Sequence, residues 1–358
     1  MGRSLFALVM MCLAAPCSAQ PAARPAAPDA AAPKAPFVQS EADAVIAKLA
    51  DALESDFVLP DVGKKYAALL RAKHDAGQYS RFASAEDFSA AVTADLRAIH
   101  YDGHLRLLPP KTGGDAGGAV RREALAPSTD STIIASGWIA PNVAYISFSA
   151  FYGNEPTIAG LRSFLAKVKG ARTLIIDARQ HRGGGMDEMN VLFPELFTKK
   201  AALVDMDART NVEQRLGDAD AEPTLEQITG PEGVTRRRHF VTPAAQPVLG
   251  SAAVYVLTSH YSASAAEHLA LALKRTHRAT LIGETTRGAG NFGYPLSLGY
   301  GYSAFIPFGR TFDPDNDQGW EGVGVKPDVA VPADAALNEA LKLAGVKATG
   351  EAALAAIH

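Results

Sequence analysis

The sequence predicts an α/β fold preceded by a helical bundle, and two patterns lead to this prediction. Residues 40–100 carry apolar side chains at helical spacing, whereas short apolar strands alternate with amphipathic helices after residue 137. The chain has 358 residues, of which 47% are hydrophobic and 20% charged. That length corresponds to roughly two domains of ~150 residues, and the composition allows a sizeable core.

Three short helices are predicted in the N-terminal part. Val45, Leu49 and Leu53 recur at a four-residue step, which places them on one helix face. A second helix follows Pro60, and Ser84 begins a third because a serine followed by acidic residues is a helix start signal.

The remaining pattern divides the chain into an α/β core at residues 111–340, after a helical N-terminal domain at 38–110, and before a C-terminal helical tail at 341–358. Residues 203–245 are more polar and charged, which indicates a hairpin or a lid over one face. The core elements are predicted as strands at 143–148, 173–177, 253–257 and 279–283 and helices at 157–168, 189–197 and 265–274.

The N-terminus is typical of a secretory signal. Arg3 precedes an apolar run at residues 5–15, and residues 17–19 (CSA) offer small side chains for cleavage. We therefore expect a signal peptide at 1–19, an Ala/Pro linker at 20–37 and an exported protein, periplasmic or secreted. A retained anchor helix and a lipid anchor remain alternatives. No later stretch is apolar for as long as a membrane span of about 18 residues.

Composition excludes several function classes. Both cysteines, Cys12 and Cys17, lie in the predicted signal, so the mature chain would have no disulfide, cysteine ligand or thiol nucleophile. The formal net charge of −3 gives no basic surface for nucleic acid. No histidine or carboxylate cluster has the spacing of metal ligands, so neither a metal nor another cofactor is predicted.

Residues 261–267 (YSASAAE) lie between an apolar strand and a helix, and they carry the clearest chemical signal. A serine at this junction is exposed at a helix N-terminus, where free N–H groups and the helix dipole favour a developing oxyanion. Ser264 and Glu267 also match a capping box, in which the serine only caps the helix. From this stretch alone, the cap is the commoner interpretation.

Three further segments are ambiguous when each is taken alone. Residues 177–185 (DARQHRGGG) follow a buried strand, and their glycines suit a phosphate loop, a donor loop for an oxyanion or a flexible turn. The spacing matches neither a P-loop nor a dinucleotide fingerprint. His104 is a lone histidine, which is usually structural. Residues 320–328 (WEGVGVKPD) have the composition of a glycine-rich strand and turn.

Together, these segments resemble the tail-specific (C-terminal processing) protease family. That family has Asp-x-Arg-x-Asn-x-Gly-Gly, then Ser-Ala-Ser-Ala-x-Glu, then Gly-Glu-x-Thr-x-Gly. This chain has DAR at 177–179, SASAAE at 262–267 and GETTRG at 283–288. Residues 320–328 resemble most closely the branch that contains interphotoreceptor retinoid-binding protein repeats and the tricorn core protease. The resemblance covers roughly residues 38–340.

The resemblance implies a crotonase-like α/β core with an N-terminal helical bundle. It also implies Ser264 as the nucleophile, with the N–H groups of Ala265 and Gly184 as oxyanion donors. In the processing-protease branch a lysine base follows the serine by about 25 residues, and Ala289 occupies that position here. Because only about 25 residues separate Pro110 from Ser136, no PDZ domain is expected.

The tricorn-like branch uses a histidine from an N-terminal segment and a glutamate near the C-terminus. These roles fall on His104 as base and Glu321 as the carboxylate that orients it, in accord with the chemistry of activated serines. We expect His104 within hydrogen-bond reach of both Ser264 and Glu321. The serine that precedes the histidine in tricorn is Gly103 here, and His181 replaces the asparagine of the family's glycine loop.

Other residues have predicted roles outside the triad. His260, at a strand end, is the main competitor as base, whereas His268 lies one helical turn after the serine and has no role in the family. We expect the His181 side chain to contact substrate, and Asp177 and Arg179 to form a structural ion pair below the loop.

The predicted function is that of a serine peptidase that hydrolyses peptide bonds through an acyl-enzyme. Its partner would be a peptide or protein substrate, without nucleic acid and without a membrane span. Two alternatives stay open: a non-catalytic binder of a small apolar ligand, and an esterase that uses the same triad. The sequence does not predict the cleavage preference or the oligomeric state.

Overall fold

The computed structural model describes residues 34–111, 130–216 and 222–357. The predicted signal peptide at 1–19 and most of the predicted linker at 20–37 therefore lie outside the described residues. Within the described ranges, no helix is both long enough and apolar enough to cross a membrane.

The N-terminal part forms three helices, as predicted: α1 (Gln39–Asp56), α2 (Pro60–Asp75) and α3 (Ala85–Ile99). The predicted apolar face of α1 is fully buried. Helix α2 begins at a proline, whose missing N–H is not needed at a helix start. Helix α3 is capped by Ser84, whose hydroxyl accepts the N–H of Asp87 at 3.1 Å.

The remaining elements alternate between strands and helices, which confirms the predicted α/β class. The core elements that the sequence predicts agree with the structure to within two residues at each end. In chain order the elements are β1 (Arg106–Leu108), β2 (Ile133–Ala140), β3 (Val143–Phe148), α4 (Glu155–Lys167), β4 (Thr173–Asp177), α5 (Asp187–Leu196), β5 (Ala201–Arg209), α6 (Thr210–Leu216), β6 (Leu225–Ile228), β7 (Val234–Val241), β8 (Ala253–Thr258), α7 (Ala265–Arg275), β9 (Thr280–Gly283), β10 (Asn291–Gly299), β11 (Tyr302–Asp313), β12 (Gln318–Gly319), β13 (Val329–Ala330), α8 (Ala336–Leu343) and α9 (Gly350–Ala355).

The first sheet has the strand order β13-β9-β8-β4-β3-β2 among the described residues, and all neighbours are parallel except β2 and β3. Helices α4, α5 and α7 cover one face, while α8 and α9 cover the other. Burial on both faces explains why β3 and β4 are continuously apolar. The glycine loop after β4 and the serine turn after β8 therefore emerge at the same sheet edge.

The second sheet is antiparallel, and it contains the polar segment at 203–245. Its order is β1-β11-β5-β7-β6, with β10 and β12 also paired to β11. The charged residues of the segment form cross-strand ion pairs, Arg236 with Asp207 at 2.6 Å and Arg238 with Asp205 at 2.7 Å. The described part of the segment thus contributes three strands and helix α6, and the polarity of its strands reflects paired charges between them.

The β10–β11 hairpin was not predicted from the sequence, yet it joins the helical part to the rest of the chain. Tyr302, Ala304 and Ile306 of β11 share one buried cluster with the side chains of α1, α2 and α3. Strand β1, which follows α3 and residues 100–105, pairs with β11 in the same sheet. The helices therefore do not close a core of their own, and they need the hairpin to complete it.

Helices α1 and α2 approach closely at Gly63, and this contact gives a stability prediction. A Cβ atom at Gly63 would lie 2.3 Å from the carbonyl oxygen of Leu53. We expect Gly63→Ala to lower the free energy of unfolding, because overpacking against backbone costs about 1–3 kcal/mol. That loss exceeds the gain of about 1 kcal/mol in helix propensity. Chemical denaturation of both proteins measures the difference.

Gly160→Ala in α4 is the matched control. A Cβ atom there would meet side-chain atoms alone, Cδ1 of Ile133 at 3.0 Å and Oγ of Ser131 at 3.9 Å, and the Ile133 atom is the end of a movable side chain. This variant should be as stable as the parent or more stable. Equal stability of the two variants would contradict the proposed backbone contact.

Candidate active site

Ser264 occupies a sharp turn between β8 and α7. Its backbone has φ 56° and ψ −113°, a conformation that non-glycine residues rarely adopt. Such strain persists only where the surroundings fix it, and it is often found at functional sites. The serine is half-buried, and it directly precedes the first residue of α7.

The neighbouring Ser262 has a different environment. It is fully buried, its hydroxyl donates to the carbonyl of Ala178 at 2.7 Å, and it accepts the N–H of Ser259 at 3.0 Å. These bonds tie the turn to the end of β4. Ser262 is therefore structural, and Ser264 is the serine available for chemistry.

Glu267 holds the turn from within α7. Its buried carboxylate accepts the N–H groups of Ser264, Gly288 and Ala289 at 2.7–2.8 Å and the hydroxyl of Thr286 at 2.6 Å. Burial raises its pKa, while these donors act in the opposite direction. The Glu267 half of the capping box suggested by the sequence is formed, because its carboxylate accepts the Ser264 N–H. Because the Glu267 N–H also reaches the Ser264 carbonyl at 2.8 Å, the cap does not depend on the hydroxyl alone.

The glycine loop lies directly against Ser264. A Cβ atom at Gly183 would be 2.9 Å from the Cβ of Ser264. Gly184 has φ 134°, and a Cβ atom there would lie 1.8 Å from the Phe151 carbonyl oxygen, so only glycine fits. The close approach brings the loop backbone to Ser264.

Two N–H groups beside Ser264 have no acceptor in the described part of the chain. Within the loop, the Gly183 N–H donates to Nδ1 of His181 at 3.1 Å, and the Gly185 N–H donates to the Phe151 carbonyl at 2.7 Å. The N–H groups of Gly184 and Ala265 are bonded to no described residue. These are the two donors that the resemblance implies, and both are free to bind an oxyanion.

His181 does not contact substrate as expected from the sequence. Its ring is completely buried against Phe151, with ring centroids 4.2 Å apart, and burial lowers its pKa to about 3. Its Nδ1 instead accepts the Gly183 N–H. The sequence expectation was wrong because a loop position does not reveal which way a side chain turns.

Asp177 and Arg179 form the expected ion pair, with 2.6 Å between Nη2 of Arg179 and Oδ2 of Asp177. The Tyr145 hydroxyl also donates to Asp177 at 2.8 Å, and Arg179 reaches the carbonyl of Ala333 at 2.8 Å. The pair fixes the start of the loop below the glycines.

His104 lies between α3 and β1, half-buried beneath the ring of Phe305, with 5.3 Å between centroids. Its Nδ1 is buried and has no hydrogen-bond partner among the described residues. Burial lowers the pKa of His104 below its ordinary value; Asp102 opposes this shift, and Arg106 and Arg287 add to it. The ring is therefore neutral at neutral pH, as a general base must be.

Glu321 makes its hydrogen bonds to backbone groups. Its carboxylate accepts the N–H groups of Gly103 at 2.7 Å, Gly290 at 2.6 Å and Asn291 at 2.9 Å. Burial, and then the charge of Asp102, raise its pKa to about 7. The His104 ring forms neither of the two expected hydrogen bonds in this structure, to Ser264 or to Glu321, although a ring nitrogen lies within 4.8 Å of a Glu321 oxygen.

Asp102 completes this cluster, and the sequence analysis missed it. A side-chain oxygen of Asp102, a ring nitrogen of His104 and a carboxylate oxygen of Glu321 lie within 4.8 Å of one another. Such a set can hold a metal ion, which sequence spacing did not indicate. The oxygens already accept hydrogen bonds from N–H donors, which is the environment of positioning carboxylates. The only sequence signal was an aspartate two residues before the histidine.

The histidine segment lies beside the position where the family's lysine would stand. The side chain of Ala289 is buried, and its Cβ would be 3.7 Å from a Cβ at Gly103. The Gly288 carbonyl would be 3.5 Å from the same atom. The residue before His104 therefore contacts the alanine that replaces lysine.

The other two candidate histidines are engaged elsewhere. Nδ1 of His260 pairs with Glu284 at 3.0 Å, and its ring stacks on Tyr261. His268 is buried and shares a 2.9 Å hydrogen bond with His239, and burial lowers its pKa well below the ordinary value. His260 therefore has one ring nitrogen engaged by Glu284 and His268 is bonded to His239, whereas the buried Nδ1 of His104 and the buried Nε2 of His181 have no partner among the described residues.

A cavity of about 430 Å³ opens near the carboxyl ends of β4 and β8. Its wall includes Arg179, His260 and Tyr261, but neither Ser264 nor His104. Some residues of its wall directly precede the serine turn in the sequence. Its lining nevertheless gives no reason to place the hydrolytic reaction in this cavity.

Comparison with known proteins identifies the family. Residues 142–331 match peptidase family S41, and residues 30–126 match the N-terminal domain of peptidase S41 in eukaryotic IRBP. The two matched ranges follow each other as the helical part and the α/β part do here.

Solved structures share the fold at low sequence identity. A predicted peptidase from Parabacteroides merdae is 17% identical with a TM-score of 0.55, covering 88% of this chain and 96% of its own. A lipoprotein from Streptococcus agalactiae is 15% identical with a TM-score of 0.53, covering 86% and 96%. The tricorn protease is 12% identical with a TM-score of 0.51, covering 89% of this chain and 36% of its own. The predicted resemblance is confirmed: the chain belongs to peptidase family S41 and is a serine-type peptidase.

Proposed function

We propose that the chain cleaves peptide bonds through an acyl-enzyme on Ser264, with His104 as base and Glu321 as a carboxylate that orients the base's segment. The observation that carries the proposal is a pair of N–H groups that bond to no described residue, that of Gly184 in the loop packed against the strained Ser264 and that of Ala265 directly after it. Backbone donors arranged before the reaction stabilise an oxyanion without reorganising.

The reaction follows from these positions. His104 accepts the hydroxyl proton while the Ser264 oxygen bonds to the scissile carbonyl carbon, and the carbonyl electron pair becomes an oxyanion held by the two N–H groups. Collapse of this intermediate breaks the C–N bond, and His104 returns the proton to the leaving amine. Water, activated by the same histidine, then releases the acyl group and regenerates the serine.

The contacts of Glu321 support its orienting role through the main chain. It binds the N–H of Gly103, the residue before His104, and so limits how that segment can move. A direct bond to the imidazole would require the ring to turn, and catalytic hydrogen bonds are often long without substrate.

The proposal includes the wider organisation of the chain. We take the core to be crotonase-like, in keeping with the parallel sheet flanked by helices. We propose no PDZ domain, because residues 112–129 outside the described ranges are fewer than the ~50 of a small domain. Export to the periplasm or medium remains part of the proposal and rests on the signal-like N-terminus.

An esterase would use the same groups, so substrate comparison is the decisive test of the bond cleaved. A mixture of unstructured peptides and a matched ester substrate should be offered to the same preparation. Cleavage of peptide amide bonds that depends on Ser264 supports the proposal. Hydrolysis of esters alone would contradict it, and binding of an apolar ligand without any turnover would favour the non-catalytic alternative.

Ser264→Ala should abolish both peptide cleavage and labelling by a fluorophosphonate, because it removes the hydroxyl that lies against the glycine loop and directly precedes the free Ala265 N–H. Loss of a capping serine costs about 1 kcal/mol, so the variant should remain folded. Intact-mass spectrometry measures the adduct, and circular dichroism checks the fold.

Ser262→Ala is the control serine. It should lose stability, because it leaves buried partners unpaired, but the folded fraction should still be labelled on Ser264. An adduct that survives Ser264→Ala and disappears in Ser262→Ala would show that the wrong serine was chosen.

His104→Ala should slow labelling about 10²–10⁴-fold, the range expected for loss of a general base. In the parent protein the labelling rate should stay constant to below pH 6.5 and fall only at lower pH. The reason is that burial lowers the pKa of His104, and protonation of the ring removes the base. Rates measured from pH 4.5 to 8.5 test this.

His260→Ala provides the matched histidine control. It should leave the labelling rate unchanged across the same pH range. If that variant instead loses labelling and His104→Ala keeps it, His260 is the base.

A further inference from the structure

Asp102 is a buried carboxylate without a fixed counterion. It is completely inaccessible to solvent, and its Oδ1 accepts the N–H groups of His104 at 2.8 Å and Leu105 at 2.9 Å. Its Oδ2 accepts the side-chain amide of Asn291 at 2.8 Å. All three partners are N–H donors, and the Asp102 oxygens accept from each of them. No lysine or arginine of the described residues forms an ion pair with it.

A buried charge that lacks a partner is costly unless a counterion is available. The His104 ring can become positive, and one of its nitrogens lies within 4.8 Å of an Asp102 oxygen. Pairing would arise only when the ring takes up a proton, which is the moment at which catalysis needs stabilisation of the imidazolium.

Glu321 is less suited to that task. Two carboxylates within 4.8 Å of each other do not both ionise without repulsion. The pKa of Glu321 is raised to about 7, so it is largely protonated in the acidic range where His104 titrates. Its three backbone donors connect loops and do not touch the ring.

We infer that Asp102 is a positioning residue that supplies the negative charge stabilising protonated His104, while Glu321 fixes the surrounding backbone. The inference rests on the proposed serine chemistry. The proton moves from Ser264 to His104 and then to the leaving amine, and Asp102 stays a carboxylate throughout.

The charged groups that face His104 set the sign of the expected effect. They are Asp102, Glu321, Arg106 and Arg287. The negative charge of Asp102 counteracts the repulsion between the two arginines and protonated His104. Removing that charge therefore makes protonated His104 less stable. The acid limb, which is the fall of the labelling rate at low pH, should then move to lower pH by about 1–3 units. This is the range of pKa shift that one nearby opposite charge causes. The rate on the plateau should fall at least about tenfold, as the ring becomes a weaker base.

Asp102→Asn is the first test variant, and its readout is the labelling rate against pH. Asp61→Asn removes the same charge from an exposed position in α2. It should change neither the pH of the acid limb nor the labelling rate on the plateau. A purely structural Asp102 would lower the plateau and leave the limb in place, and that result would overturn the inference. Glu321→Gln should move the limb less than Asp102→Asn does.

The double variant Asp102→Asn/Asn291→Asp separates charge from structure. It preserves the hydrogen bond with its direction reversed, and it transfers the charge to a residue one hydrogen bond away. Melting temperature should recover towards that of the parent, whereas the limb should stay shifted. Full recovery of the parental limb and rate in the double variant would overturn the inference.

NMR titration of His104 in the Ser264→Ala background tests the same charge without any activity. Asp102→Asn should lower the pKa of His104 there too, with His104→Ala identifying the signal. If the parent is never labelled on Ser264, the proposed function fails whatever the titration shows. If the parent is labelled but Asp102→Asn leaves the limb and the His104 titration unchanged, only the inference fails.

Discussion

Two glutamates, the buried Glu267 and the half-buried Glu321, hold residues 286–291 by hydrogen bonds, and the arrangement of the site depends on them. Glu267 accepts donors from Thr286, Gly288 and Ala289, and Glu321 accepts donors from Gly290 and Asn291. Each carboxylate also binds one backbone N–H of a functional segment, Ser264 in the first case and Gly103 in the second. The serine and histidine segments are thereby positioned against the same six residues. A displacement of about 1 Å in residues 286–291 would therefore misplace both the serine segment and the histidine segment.

The strain at Ser264 is tolerated because the surrounding contacts fix it from three directions. Glu267 binds its N–H, the Gly183 backbone packs against its Cβ, and Ser262 ties the turn to β4. A backbone conformation of this kind costs about 1–3 kcal/mol, which several buried hydrogen bonds can offset. The same contacts leave the N–H groups of Gly184 and Ala265 unbonded. Strain and free donors are therefore two consequences of one packing arrangement.

The sequence predicted those parts of the molecule that local pattern determines. The strands at 143–148 and 173–177 are apolar on both faces, and α7 begins at its capping signal, so periodicity was sufficient. The hairpin at 291–313 was missed because glycines interrupt it and its faces are unequally buried against the helical bundle. Its structure depends on contacts with residues far away in sequence, which no local window contains.

The candidate site shows the same limit. The roles of Ser264, Ala265 and Gly184 were predicted from the family resemblance, which could be seen because its serine and glycine motifs are short local stretches of sequence. Asp102 was not, because its role depends on Asn291, almost two hundred residues later, and on burial that periodicity could not show. The side-chain direction of His181 likewise depends on Phe151, which belongs to another segment.

If His104 is the base, packing of the helical part becomes a requirement of the chemistry. A lysine at position 289 would belong to the segment that Glu267 already binds. The same glutamate would then position both the base and the nucleophile. With Ala289 in that position, the base must come from the segment between α3 and β1. That segment is placed by β1 pairing with β11, with Arg106 opposite Phe305, the residue whose ring covers His104. Because β11 also completes the core of the three helices, loosening of that core would change the distance from base to nucleophile. The exchange of lysine for histidine thus couples the reaction to a contact between two parts of the fold that the lysine arrangement would leave independent.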